Sequence, residues 1–162
     1  MPPDQMPIAA PLTDGRQSPA AAAICRGVRR LMWSLGFATV TELSLASGRR
    51  ADVVAFSDKG EIWIIEVKSS IADFRSDSKW PEYAAYCDRL LFAVAPDFPL
   101  DILPVETGLI VADQYGAELL RPAPGLQLAG ARRKAVMARI ARAAAVRLHA
   151  LADPDFGLER ME

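Results

Sequence analysis

The sequence predicts an α/β domain whose mixed central sheet of about five strands is flanked by helices. Three observations carry that prediction. Residues 49–56 and 61–70 are rich in Val, Ile and aromatics and are separated by Ser57-Asp58-Lys59-Gly60, the composition of a β-hairpin and its turn. Residues 90–95 form a continuous apolar run of the length of a buried strand. Two longer segments, 18–36 and 131–151, place apolar residues at helical spacing.

The 162 residues suit one domain with a real core, and 51% hydrophobic with 24% charged residues is a globular balance. Residues 1–17, with four prolines, read as a flexible tail; 18–153 read as a single domain and 154–162 as a C-terminal tail. The chain has no apolar run long enough for a membrane span and no secretory pattern at its start, so a cytoplasmic protein without membrane contact is expected. Cys25 and Cys87 are far apart and the chain has one His, which excludes a zinc framework; each Cys reads as a small buried hydrophobe. No small-molecule cofactor is expected.

The first helix begins at Ser18-Pro19, an N-cap followed by a proline at the first helical position. Ile24, Val28, Leu31 and Leu35 make its apolar stripe, and Gly36 closes it. Residues 37–45 read as the first strand, with Val40, Glu42 and Ser44 on one face and Thr41, Leu43 and Leu45 on the other. After the hairpin, Pro81 confines a helix to about residues 79–87, a crossover that can set residues 90–95 parallel to the strand before it. Residues 103–106 read as a helical turn and 107–112 as a strand. A turn at Asp113-Gln114-Tyr115-Gly116 leads to a return strand, 117–121. The C-terminal helix carries a stripe of Val136, Ile140, Ala144, Leu148 and Leu151 and ends at Asp153-Pro154.

The chemistry concentrates in the hairpin. Side chains alternate along a strand, so Glu66 and Lys68 share a face with Ile62 and Ile64, as Asp52 does with Val54 and Phe56. A register joining those faces brings two carboxylates and an ammonium together at one end of an apolar hairpin. Buried charges of that kind cost several kcal/mol unless paired or bound to a metal. Oxygen ligands alone favour Mg²⁺ or Mn²⁺ over zinc, and a neighbouring Lys can orient or activate the attacking water or stabilise charge on a phosphoryl group. A Glu-x-Lys tripeptide arises by composition about once in a chain of this length. The weight therefore rests on Asp52, separated from Glu66 by thirteen intervening residues.

Asp52 and Glu66-Val67-Lys68 at this spacing resemble the signature of the PD-(D/E)xK, or restriction-endonuclease-like, nuclease superfamily. The longer series is similar to the MmcB-like bacterial DNA repair proteins over roughly residues 20–120. It runs from Arg50-Ala51-Asp52 through Glu66-Val67-Lys68-Ser69-Ser70 to Asp73-Phe74, Lys79-Trp80, Tyr83 and Cys87-Asp88-Arg89. The resemblance implies a restriction-endonuclease-like core and Mg²⁺-dependent hydrolysis of DNA to 5′-phosphate and 3′-hydroxyl ends. Asp52, Glu66 and the Val67 carbonyl would hold the metal and Lys68 would serve the water. Relatives often place a further acid on the first helix; residues 18–36 contain none, and Glu42 is the nearest substitute. Glu42 reads equally as a strand residue paired with Arg49 or Arg50.

Net charge is −1, yet residues 18–50 hold five arginines against one acid, and 129–152 hold six basic residues and no acid. Such patches bind phosphates or are solvated helix faces. Candidate DNA contacts are Arg49, Arg50, Ser69, Asp77, Lys79, Tyr83, Arg139 and Arg142. DNA is the expected partner, and pairing into a homodimer is implied by relatives that cut two strands. A nuclease fold that binds or scaffolds without cleaving, and an RNA-processing enzyme, stay open as alternatives.

Overall fold

The computed structural model describes residues 17–155. A six-stranded sheet in the order β1-β2-β3-β4-β5-β6 forms its centre, one strand more than expected. The strands are β1 (Phe37–Ser44), β2 (Arg50–Ser57), β3 (Ile62–Lys68), β4 (Arg89–Val94), β5 (Gly108–Ala112) and β6 (Ala117–Arg121). β1, β2 and β3 form an antiparallel meander, β3, β4 and β5 are parallel, and β6 returns antiparallel. The mixed sheet follows from the connections: tight turns on either side, and crossovers in the middle.

Helix α1 (Pro19–Ser34) lies on one face of the sheet. Its start follows the expected chemistry, with the Ser18 hydroxyl accepting the Ala21 N–H at 3.1 Å. Ile24, Val28 and Met32 bury against Val53, Ala55, Ile65 and Ile110. Leu35 does not continue the stripe: it caps the helix and is exposed, and Met32 takes the buried position one turn before Gly36, whose φ is +86°. The tails expected at 1–17 and 154–162 lie almost entirely outside the described residues.

The other face is covered by α3 (Gly130–Ala152), by α2 (Ile71–Ser76) and by a 3-10 helix, Trp80–Tyr86. The region expected as one helix at 79–87 is thus two short pieces. Ser70 caps α2 by accepting the Asp73 N–H, and Asp73 returns a carboxylate to the Ser69 N–H. The pattern is a variant of the capping box, with the carboxylate reaching the residue before the N-cap. Helical structure at 103–106 is also displaced: the 3-10 turn is Leu100–Ile102, and Leu103 plugs the core beyond it. On α3 the buried residues are Val136, Ile140 and Ala150, whereas Leu148 and Leu151 are exposed. The helix is anchored at its start by Arg133, which donates two hydrogen bonds to Asp88 at 2.6 and 2.7 Å and one to the Gly60 carbonyl. Val136 and Ile140 are buried as expected; beyond them the inward face follows the 3.6-residue period through Ala143 to Ala150, which leaves Ala144, Leu148 and Leu151 outside.

Along β1 the side-chain alternation breaks at Glu42. Val40, Leu43 and Leu45 all belong to the core beneath α3, and Glu42 between them has φ +51°. A left-handed residue reverses the chain's facing, so Leu43 and Leu45 turn to the face predicted for Glu42 and Ser44. The Glu42 carbonyl accepts a hydrogen bond from Arg147 of α3 at 3.1 Å.

Gly27 is where α1 passes over the turn between β5 and β6. A Cβ there would meet the carbonyl oxygens of Asp113 and Gly116 at 2.1 and 2.4 Å. Gly27→Ala is expected to destabilise the fold by roughly 1–3 kcal/mol through overpacking against backbone. Gly130→Ala, where a Cβ meets nothing, is expected to be neutral or slightly stabilising. Urea denaturation of both variants distinguishes close packing from a general cost of losing glycine.

Candidate functional site

The hairpin register places the two expected faces together. Val54 pairs with Ile64 and Phe56 with Ile62, so Asp52, Glu66 and Lys68 continue one face towards the open end of the hairpin. The β2–β3 ladder runs only from Phe56↔Ile62 to Val53↔Ile65. Beyond it, carboxylates replace the backbone partners. The Asp52 N–H donates to Glu66 Oε1 at 3.2 Å, and the Val67 N–H donates to Asp52 Oδ2 at 2.8 Å. β2 and β3 therefore part here, with an acid from each strand between them. The N–H and C=O of a strand residue leave on the same edge, so the Val67 carbonyl points into the same gap as its N–H.

The gap opens into a polar cavity of about 480 Å³. Its wall includes Asp52, Glu66, Val67, Lys68, Asp77 and Tyr83, with Glu42, Arg49, Arg50 and Ser69 around them. Glu66 and Lys68 are only 3% and 5% exposed, yet both line it. Burial and the charge of Asp52 hold the Glu66 carboxyl well above its ordinary value. Burial also raises Asp52, partly offset by the Val67 N–H and by a hydrogen bond to Glu66. Burial of both acids and the repulsion between them thus favour the protonated form of each.

Lys68 is held differently. Its Nζ lies 2.7 Å from Asp77 Oδ2. Burial acts to lower the Lys68 amine, but the hydrogen bond and charge of Asp77, with Asp73 and Glu66, outweigh it and leave the amine above its usual value. Burial likewise works against ionised Asp77, and the Lys68 bond with the Lys79 N–H brings it below the ordinary carboxylate value. Lys68 is therefore a firmly charged ammonium aimed from the wall of the cavity.

The remaining candidates divide. Arg49 and Arg50 line the cavity but are ion-paired, Arg49 to Glu82 at 3.0 Å and Arg50 to Glu42 at 2.6 Å. Glu42 thus reaches the cavity while engaged by an arginine, the pairing that its strand position also allowed. Tyr83 is buried and donates its hydroxyl to the Arg50 carbonyl at 2.9 Å, which pins the start of β2. Ser69 lines the cavity, its N–H turned to Asp73. The exposed Lys79 lies outside it, and only its backbone N–H meets Asp77. Arg139 and Arg142 are exposed on α3, away from the cavity, with Arg139 donating to the Ser44 carbonyl at 3.2 Å. The sequence reading omitted Asp73, which lines the cavity and acts on both Lys68 and Asp52. It also omitted the start of α1, where Gln17, Ser18 and Ala21 close one side. Asp73 was legible from its place three residues after Ser70; the α1 contribution is a tertiary contact without a local signal.

A chain with this sheet and this parted hairpin matches one family over residues 8–155: DNA repair protein MmcB-like. The protein belongs to that family. Among solved structures it is similar to the SPO1766 protein of unknown function from Silicibacter pomeroyi. The two are 46% identical, with a TM-score of 0.84 over 87% of this chain and 97% of that one. No curated protein matches. No helix among the described residues is long and apolar enough to cross a membrane.

The carboxyl pair has a signature in stability. A carboxyl whose folded-state value is raised binds more protons folded than unfolded, so its contribution falls as pH rises. Without divalent cations, wild type is expected to lose stability relative to Glu66→Gln as pH climbs above the ordinary glutamate value of 4.5. Asp77 and Asp88 are lowered and act with the opposite sign, but they are common to both proteins and cancel in the difference. Urea denaturation at stepped pH in EDTA reads this directly; parallel curves would rule out the raised Glu66 value.

Proposed function

We propose that the protein is a metal-dependent deoxyribonuclease acting in DNA repair, with Asp52 and Glu66 holding Mg²⁺ or Mn²⁺ and Lys68 serving the attacking water. The observation that carries this reading is the convergence of a half-buried carboxyl, Asp52, a buried one, Glu66, and a buried ammonium on one cavity at the parting of β2 and β3.

The residues fit a hard divalent cation. Burial holds both carboxyls above their ordinary values, and Lys68 offsets this only in part because its ammonium is bonded to Asp77, so a cation between the acids would relieve them. Among the described residues no group of three or more His, Cys, Asp and Glu side chains is arranged to hold a metal. Two carboxylates and the Val67 carbonyl are the sparse donor set magnesium accepts, the rest being water and substrate phosphate. Such a cation supplies Lewis acidity towards a phosphoryl oxygen.

The chain's own residues do the positioning. Backbone N–H groups fix one oxygen of each carboxylate, so the acids are set before anything binds. Lys68 stays protonated, which makes it a donor that orients water and stabilises charge on the phosphoryl group, and Asp77 holds it in place. Family membership supports DNA as the molecule acted upon and repair as the setting. A second reading, a nuclease fold that binds DNA without cutting it, is favoured by the Glu42–Arg50 pair and the absence of an acid on α1.

Asp52→Ala and Lys68→Ala are each expected to lower cleavage at least 100-fold while the circular dichroism spectrum is retained. Cleavage is scored on gels with single-stranded, duplex and branched DNA in Mg²⁺ or Mn²⁺. Calorimetry is expected to show cation binding to wild type and its loss in Asp52→Ala. Full activity of both variants sinks the assignment; cation binding and DNA binding without turnover on any substrate favour the second reading.

A further inference from the structure

A second cavity of about 790 Å³ lies between α1 and β1, and its wall shares Gln17 with the first. Arg26, Arg29 and Arg30 line it, together with Trp33, Cys25 and Thr39, and its lining includes no Asp or Glu. Arg29 is fixed by a hydrogen bond to Thr39 Oγ1 at 3.0 Å, and Arg30 by one to the Tyr115 carbonyl at 3.0 Å. Trp33 is 75% exposed, the indole standing open beside the guanidinium groups. Gln17 lines both spaces, and α1 supplies wall to each, Ala21 to the carboxylate cavity and Ala22 and Cys25 to this groove. The groove and the carboxylate cavity are therefore neighbouring stretches of one path.

The chemistry of this path selects its occupant. Three guanidinium groups without a carboxylate call for a polyanion, and an exposed indole among them calls for a flat apolar face. A single nucleic-acid strand presents both, because its bases are free to stack; a duplex hides them. From Ala21, at the carboxylate cavity, to Trp33 the helix advances about 18 Å, enough for about five stacked nucleotides and fewer when the strand is extended.

We propose that the α1–β1 groove binds a single DNA strand and leads it to the carboxylate cavity, with Arg26, Arg29 and Arg30 on its phosphates and Trp33 stacked on a base. The choice of DNA rests on the repair reading above; the single-stranded form rests on the groove. Trp33, Arg26 and Arg30 are thus binding residues outside the cavity.

The test is fluorescence anisotropy with a labelled oligothymidylate in EDTA, where binding is read without cleavage. A duplex of equal length and an oligouridylate serve as the comparison probes. Trp33→Ala is expected to bind the oligothymidylate about 10-fold or more weakly. In the Arg26→Gln/Arg30→Gln double variant, the slope of log K against log salt is expected to fall in magnitude by about 1.4. Tryptophan fluorescence of wild type is expected to be quenched by the strand, and that quench lost in Trp33→Ala. Unchanged affinity in both variants, or preference for the duplex, overturns the proposal; equal or tighter binding of oligouridylate overturns its choice of DNA. Failure here is separable from failure of the nuclease reading. Cleavage that depends on Lys68 but not on Trp33 removes the groove alone, whereas groove-dependent binding without turnover removes the chemistry alone.

Discussion

The parting of β2 and β3 is the constraint on which the rest of the site depends. A hairpin whose residues Val53, Val54, Ala55, Ile62, Ile64 and Ile65 are fully buried has no reason of its own to open. Each of the larger side chains contributes about 1.5–3 kcal/mol of burial, and each ladder step satisfies backbone groups that water cannot reach. It opens because the next two positions are acids. Asp52 accepts the Val67 N–H that the β2–β3 ladder would otherwise have paired, and Glu66 accepts the Asp52 N–H, so the strands separate without stranding either donor. The same oxygens are thereby held rigid at the rim of a cavity.

Around that opening, charge is distributed in layers. The acids in the gap are held above their ordinary values by burial, Lys68 is tied to Asp77, and the two arginines at the mouth are tied to Glu82 and Glu42. Each cation is restrained by an acid that is not one of the central pair. A site built this way keeps its ammonium from collapsing onto the carboxylates, which would fill the gap with an internal salt bridge. The arginines of α1 lie further out, where hydrogen bonds to Thr39 Oγ1 and the Tyr115 carbonyl steady them without neutralising them.

Much of this was legible in the chain. Period-two alternation in 61–68 put Glu66 and Lys68 on one face, and the register then followed from the apolar pairs Val54–Ile64 and Phe56–Ile62. The helix start at Ser18-Pro19 and the turn glycine at Gly60 followed local rules that tertiary structure did not override. The misreadings have separate causes. Steps of four residues from Val136 reach Leu148, but a helix turns every 3.6 residues, and the inward face has moved to Ala150 by then. Glu42 was assigned a face by counting twos, and a left-handed backbone cannot be counted through. Local pattern reports what a segment prefers; it is silent on what a distant side chain imposes.

The hydrogen bond from Arg147 to the Glu42 carbonyl joins residues 105 positions apart. Asp52, Glu66, Lys68 and Asp77 lie within 26 consecutive residues, and the short-range hairpin that carries the first three can form as soon as it is made. The left-handed bend of β1, which turns Glu42 towards the cavity and Leu43 towards the core, gains its outer support only when α3 docks. A nascent chain therefore carries all the central acids before it carries a finished rim, and the C-terminal helix acts as the closing part of an assembly whose chemistry is encoded far upstream.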